Sequence, residues 1–355
     1  RAFDLLLLLA TVAILALLAR AVFKEHWLLP YCLALSTLLW PGMIVRLITV
    51  SNAALEMPLV SLYVLALWNA TARPRARSVV VAGGLAGLCV LTQLTLVCLA
   101  PLLIVPLVAL FKEHRGRAEL GTAAFAIGLP VVLVAPWLAS NLSRYGALTA
   151  NALLERMQEA YEPGTRQYGL GTVTSNLWCF TQAALPQEWW AEYKGVLGAV
   201  LVALPVVLLL ASVLAAVRRP RLVRSTAAAL LAGPLLLGFA TLVGIVLLEG
   251  WQSSFLPRFL NPMVPLFALF VAWMWMALRP QARTLFGLAI SSTAVASVAW
   301  VYMAGAYYFT NVGAALGVHA ARPAAATARI PNSSEAHKTR RATVGAVQDW
   351  STLDT

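Results

Sequence analysis

Few residues in this sequence can do chemistry, and they gather in short polar stretches between apolar runs. Ser51-Asn52-Ala53-Ala54-Leu55-Glu56-Met57-Pro58 sets Asn52 and Glu56 four apart, on one face of a helix. A carboxylate there can take a proton from a hydroxyl as a general base, or bind a sugar hydroxyl. It can equally cap the helix N-terminus, where a negative charge gains about 0.3–1 kcal/mol. Leu91-Thr92-Gln93-Leu94-Thr95 is an uncharged polar tip between two apolar runs, of a kind that also serves hydrogen bonding between helices. Arg258, in Ser254-Phe255-Leu256-Pro257-Arg258-Phe259-Leu260-Asn261-Pro262, stands at the start of another apolar run. A guanidinium fork beside orphan helix N–H groups would hold a phosphate; snorkelling to lipid headgroups is the alternative use. Pro136-Trp137-Leu138-Ala139-Ser140-Asn141-Leu142-Ser143-Arg144-Tyr145-Gly146 adds Asn141 and Arg144.

The elements that must carry these residues are apolar. Of 355 residues, 61% are hydrophobic and only 11% charged, against about 25% charged in a water-soluble fold. Composition therefore predicts an all-α, polytopic transmembrane bundle. Cys32, Cys89, Cys98 and Cys179 are scattered, and the histidines are isolated. Neither type shows metal-ligand or disulfide spacing, so no metal site is expected, and a divalent ion has no support. The net charge of +12 is explained by its placement at a membrane rather than by nucleic acid.

A span needs about 20 mostly apolar residues. About ten are predicted, at 5–23, 27–45, 54–71, 78–93, 94–111, 118–138, 196–217, 227–248, 259–278 and 284–303. The fourth and fifth are short and contiguous, either a tight hairpin at Gln93 or one kinked, partly re-entrant element. With a hairpin, the connections alternate in charge. Arg20 and Lys24, then Arg73, Arg75 and Arg77, then Lys112, Arg115 and Arg117 fall on one side, joined by the basic residues at 218–224 and 279–283. Only Arg1, Arg46 and Arg258 fall on the opposite short connections. The basic side is expected in the cytoplasm.

The chain then divides into an N-terminal membrane part (1–138, about six spans), a long outer loop (139–195), a C-terminal membrane part (196–305, about four spans) and a polar, disordered tail (306–355). In the loop, Leu153-Leu154-Glu155-Arg156-Met157-Gln158-Glu159-Ala160-Tyr161 has the spacing of an amphipathic helix on the outer interface, or of a solvated linker helix.

In their order, these stretches resemble the multi-spanning GT-C glycosyltransferases of the protein O-mannosyltransferase and aminoarabinose-transferase type. Asn52 to Glu56 is similar to that family's Asn-x-x-Leu-Glu-like start of a span. Gly87-Leu88-Cys89-Val90-Leu91-Thr92-Gln93 is similar to its Gly-Leu-x-x-Leu-Thr-Lys tip. Pro136 to Gly146 and Arg258 to Pro265 match its entrance and Arg-Tyr-Leu-x-Pro-x-x-Pro segments. The sequence departs from the pattern at Gln93, where lysine is usual, and at Ser140, where arginine is usual. The resemblance implies transfer of a sugar from a polyprenyl-phosphate donor to a lipid, glycan or protein acceptor at the outer face of a prokaryotic plasma membrane, with no cofactor. It puts Arg258 and Gln93 at the donor phosphate and Asn52, Asn141 and Arg144 at the substrate entrance. It assigns the catalytic acid to a loop preceding Leu5, with Glu56 as the candidate carboxylate in this sequence. Two other readings stand beside it, a transporter or lipid-carrier flippase and a catalytically silent protein of envelope assembly. Transport predicts inverted repeats or charges at midplane, whereas the ionisable residues here collect at span ends.

Overall fold

The computed structural model describes residues 2–38, 52–114, 116–146, 225–249 and 256–276, all within one compact unit, Arg1–Val301. Every regular element among the described residues is helical, and no strand occurs among them. Among the described residues, five helical stretches are long and apolar enough to cross a membrane: Phe3–His26, Ala54–Ala72, Leu94–Glu113, Ala118–Tyr145 and Thr226–Ile245. Leu5, Leu6, Val131 and Val132 are each more than half exposed. Water would penalise such a surface, and lipid accepts it because the helical backbone keeps its polar groups bonded internally. The bundle is that of a multi-pass membrane protein.

Helix α1 (Ala2–Phe23) ends in a short turn, Lys24–His26, where Lys24 adopts φ 52°. The chain reverses into α2 (Leu28–Leu38). Helix α3 (Asn52–Ala72) and helix α4 (Ala76–Thr92) are joined by a short basic turn. At Gln93 the backbone becomes extended (φ −153°, ψ 120°), then winds as a 3-10 helix over Leu94–Leu103 and as α5 over Ile104–Glu113. Of the two alternatives left open by the sequence, a tight hairpin or one kinked element, the chain takes the hairpin, since Cys89 and Cys98 on its two limbs lie close enough to interact. Its first limb has 17 residues, about 25 Å at α-helical rise. The looser rise of a 3-10 helix, about 2 Å per residue, lengthens the second limb.

Helix α6 (Arg117–Tyr145) continues through Pro130 and Pro136 and stops at Gly146, whose left-handed φ of 67° lets its N–H donate to the Leu142 carbonyl. The residues from Ala139 to Tyr145 are thus the last turns of a helix, where the sequence predicts the start of the outer loop. Helix α7 (Thr226–Glu249), a 3-10 segment (Leu256–Met263) and α8 (Val264–Met276) complete the described elements. The predicted spans at 5–23, 54–71, 78–93, 94–111 and 227–248 coincide with helical elements, and 27–45 is described only to Leu38. The spans at 196–217 and 284–303, the helix at 153–161, the loop beyond 146 and the tail at 306–355 lie outside the described residues.

Contacts fix helix directions. Glu56 meets Gln93, and the Tyr63 hydroxyl donates to the Leu99 carbonyl at 3.0 Å, so α3 runs parallel to the hairpin's second limb. Gly83 abuts Ala126 and Gly87 abuts Pro130 and Leu133, so α4 and α6 are parallel. Gly233 abuts Leu102, while Thr241 reaches the Cys98 sulfur, so α7 runs opposite to that limb. The α3–α4 turn and the α5–α6 turn consequently share one end of the bundle. Arg73, Arg75, Arg77 and Lys112 are all exposed there, and Arg20 and Lys24 at the end of α1 are exposed as well. Gln93 marks the opposite, hairpin end.

The α4–α6 contact is the closest. A Cβ on Gly83 would run into the Ala126 carbonyl oxygen, and one on Gly87 would lie 2.9 Å from the Pro130 Cα. Gly83 and Gly87 are four apart, the small-xxx-small spacing that lets membrane helices touch backbone to backbone. Pro130 has no N–H, so the Ala126 carbonyl lacks its usual donor four residues on. The Gly83 Cα–H faces that oxygen.

Candidate functional site

Glu56 lies in the second turn of α3, beyond the first-turn positions that a helix dipole favours most. Its side chain is 2% exposed, inside a segment apolar enough to span a membrane. A carboxylate in that setting is costly unless hydrogen-bonded. Gln93 supplies the bonds. With its nitrogen facing α3, the amide donates to both Glu56 oxygens at 2.9 Å, while its oxygen accepts from the Thr95 hydroxyl at 3.1 Å.

The backbone at the tip explains why Gln93 can hold this pose. The Cys89 carbonyl accepts from the Gln93 N–H at 3.1 Å and from the Thr92 hydroxyl at 2.7 Å, closing the end of α4. The Gln93 carbonyl accepts from the Leu96 N–H at 2.9 Å, opening the 3-10 turn. Gln93 is bonded through backbone and side chain alike. Below it, Tyr63, Cys89 and Cys98 form a buried second layer.

Arg258 lies in the 3-10 segment Leu256–Met263, which packs against both α3 and α7. Leu260 and Met263 cover Gly238, between the α7 residues that meet Leu102 and Cys98. This sets them near the level of Tyr63. Asn52 is the first residue of α3, one turn from Glu56. Asn141 is buried and Arg144 exposed in the final turns of α6, alongside the end of α4. The structure therefore joins Glu56 to Gln93 directly, carries the Arg258 segment onto the same helix, and sets Asn141 and Arg144 on a neighbouring helix at the same end.

Comparison with protein-family models, with curated proteins and with solved structures finds no match for this chain.

Two participants are not singled out in the sequence reading. Thr95 completes the Gln93 amide, and its signal is that it closes the polar tip Leu91–Thr95. Asp4, 7% exposed in the first turn of α1, is a second buried carboxylate; an acidic residue opening an apolar span is the mark that points to it. Among the described residues, no group of three or more His, Cys, Asp and Glu is placed to hold a metal ion.

Proposed function

We propose that this protein is a membrane glycosyltransferase, moving a sugar from a polyprenyl-phosphate donor to a lipid, glycan or protein acceptor at the outer face of the plasma membrane. The hairpin end would face outward and the basic end the cytoplasm, as the positive-inside rule expects. The observation that carries this reading is the pairing of Glu56 with Gln93 at the end opposite the exposed basic turns, with the Arg258 segment packed against the same helix. In the reaction, an acceptor hydroxyl oxygen bonds to the anomeric carbon as the bond to phosphate breaks. A carboxylate takes the hydroxyl proton, and cationic or N–H groups stabilise the departing polyprenyl phosphate. Arg258 would serve the phosphate, Glu56 would support the proton transfer, and Asn52, Asn141 and Arg144 would shape the entrance.

The test uses the product of the whole gene in membranes, incubated with radiolabelled polyprenyl-phosphate sugars and followed into lipid, glycan and protein fractions. Label should move into one fraction, and Arg258→Ala should abolish transfer while insertion stays normal. Unchanged turnover in Arg258→Ala would remove that residue from the site, and no transfer from any donor would sink the reading. Burial of Glu56 within a span favours one second reading, a transporter or lipid-carrier flippase. Donor lipid moved between leaflets without loss of its sugar would select it.

A further inference from the structure

The Glu56–Gln93–Thr95 group has a chemical property that neither transfer nor transport assigns to it. A primary amide carries a donor at one end and an acceptor at the other, and a threonine hydroxyl can play either part. When Glu56 is ionised, the Gln93 nitrogen faces it and donates to both oxygens at 2.9 Å, and the Thr95 hydroxyl donates to the amide oxygen at 3.1 Å. Turning the amide by half a rotation exchanges nitrogen and oxygen at nearly the same positions. The amide oxygen then accepts from a Glu56 carboxyl O–H, and the amide nitrogen donates to the Thr95 oxygen. Every polar atom of the amide is bonded in both arrangements, and no helix moves.

We infer that Glu56, Gln93 and Thr95 form a proton-binding site in which the Gln93 amide turns over as Glu56 gains or loses its proton. Glu56 is the group that is protonated, and Gln93 and Thr95 are positioning residues. One O–H bond forms on a Glu56 oxygen, the proton comes from water at the hairpin end, and no electrons are transferred. Access runs past Gln93 and Thr95, which are partly exposed while Glu56 is not. A fixed cation would suit the carboxylate alone, whereas an amide accommodates both states in a low-dielectric site where an unmade hydrogen bond costs most. Cys89 on α4 lies close enough to interact with the Glu56 charge, with Tyr63 on α3 and Cys98 on the hairpin's second limb beside it. The other titratable or charged residues on the described elements packed against α3 are Asp4 and Arg20 on α1, Arg77 on α4, Lys112 and Glu113 on α5, Glu249 on α7 and Arg258 on the 3-10 segment.

The test is infrared difference spectroscopy across a pH series on the whole chain in lipid nanodiscs, with carboxyl-13C glutamate and side-chain 15N glutamine. A carboxylic C=O band should appear on acidification, be absent in Glu56→Gln, and share a single midpoint with a glutamine side-chain amide band. Thr95→Ser should keep the two bands coupled, and Thr95→Val should shift their midpoint by about one pH unit or more, a tenfold change in proton affinity. If the substituted proteins fail to fold, the isotope-shifted bands of the unsubstituted chain decide. A glutamate band that titrates with no accompanying amide change would overturn the inference, as would the absence of any isotope-shifted carboxylic band. Neither result depends on sugar transfer, so the two ideas stand or fall separately.

Discussion

At Gln93, four neighbours, Glu56, Thr95, Cys89 and Leu96, rely on one side chain and one extended backbone unit. Replacing it with leucine leaves the buried Glu56 carboxyl without its amide, a loss of about 1–3 kcal/mol that should appear as a lower unfolding midpoint in detergent. An unchanged midpoint would show that Gln93 and Glu56 do not pair in the folded protein. Tyr63→Phe removes only the bond to the Leu99 carbonyl. That change should cost about 0.6 kcal/mol, the average for interhelical hydrogen bonds in a membrane. The ranking is the useful outcome, because a larger loss at Tyr63 would mean that it, and not Gln93, anchors the hairpin. Reading the sequence located Glu56 and Gln93 separately but could not pair them. Their 37 positions of separation close only when α3 lies parallel to the hairpin's second limb, and that packing leaves no local pattern.

Among the elements, α4 and α6 show how glycines with the same composition differ in use. Gly83 and Gly87 touch backbone on α6, whereas a Cβ on Gly121 or Gly128 would meet nothing within 4 Å. Gly83→Leu should therefore destabilise by about 1–3 kcal/mol, since backbone cannot yield as a side chain does. Gly128→Ala should instead gain about 0.5–1 kcal/mol from helix propensity. Paired thermal-unfolding measurements in the same detergent check both signs, and equal effects would remove the close contact. The turn between α1 and α2 makes a different prediction. Lys24 holds φ 52°, a left-handed conformation costing roughly 1–2 kcal/mol for a residue with a Cβ, so Lys24→Gly should raise the unfolding midpoint. Apolar run lengths made most helices legible, because span length is set by the bilayer. The end of α6 was not, since the polar stretch from position 139 on reads as loop. In the structure the helix persists to Gly146, whose positive φ ends it.

Across the whole molecule, helix direction and charge agree. The turns holding Arg75 and Lys112 share one end, and Gln93 marks the other. Single cysteines at Arg75 and Arg144, in a chain whose own cysteines are replaced, should respond oppositely to a membrane-impermeant maleimide on intact cells. Position 144 should label and position 75 should label only after permeabilisation; the reverse pattern would invert the protein and move Glu56 to the cytoplasmic side. Charge alternation made this arrangement legible from sequence because insertion machinery reads the same charges. The α4–α6 contact carries a consequence for biogenesis. Alone in hydrocarbon, α6 would expose the Ala126 carbonyl that Pro130 leaves without its usual donor, and lipid has nothing to offer it. Helix α4 precedes α6 in the chain and brings Gly83 to that oxygen. Synthesis thus supplies the partner before the helix that needs it, and a chain lacking α4 would leave α6 as an incomplete span for membrane quality control to recognise.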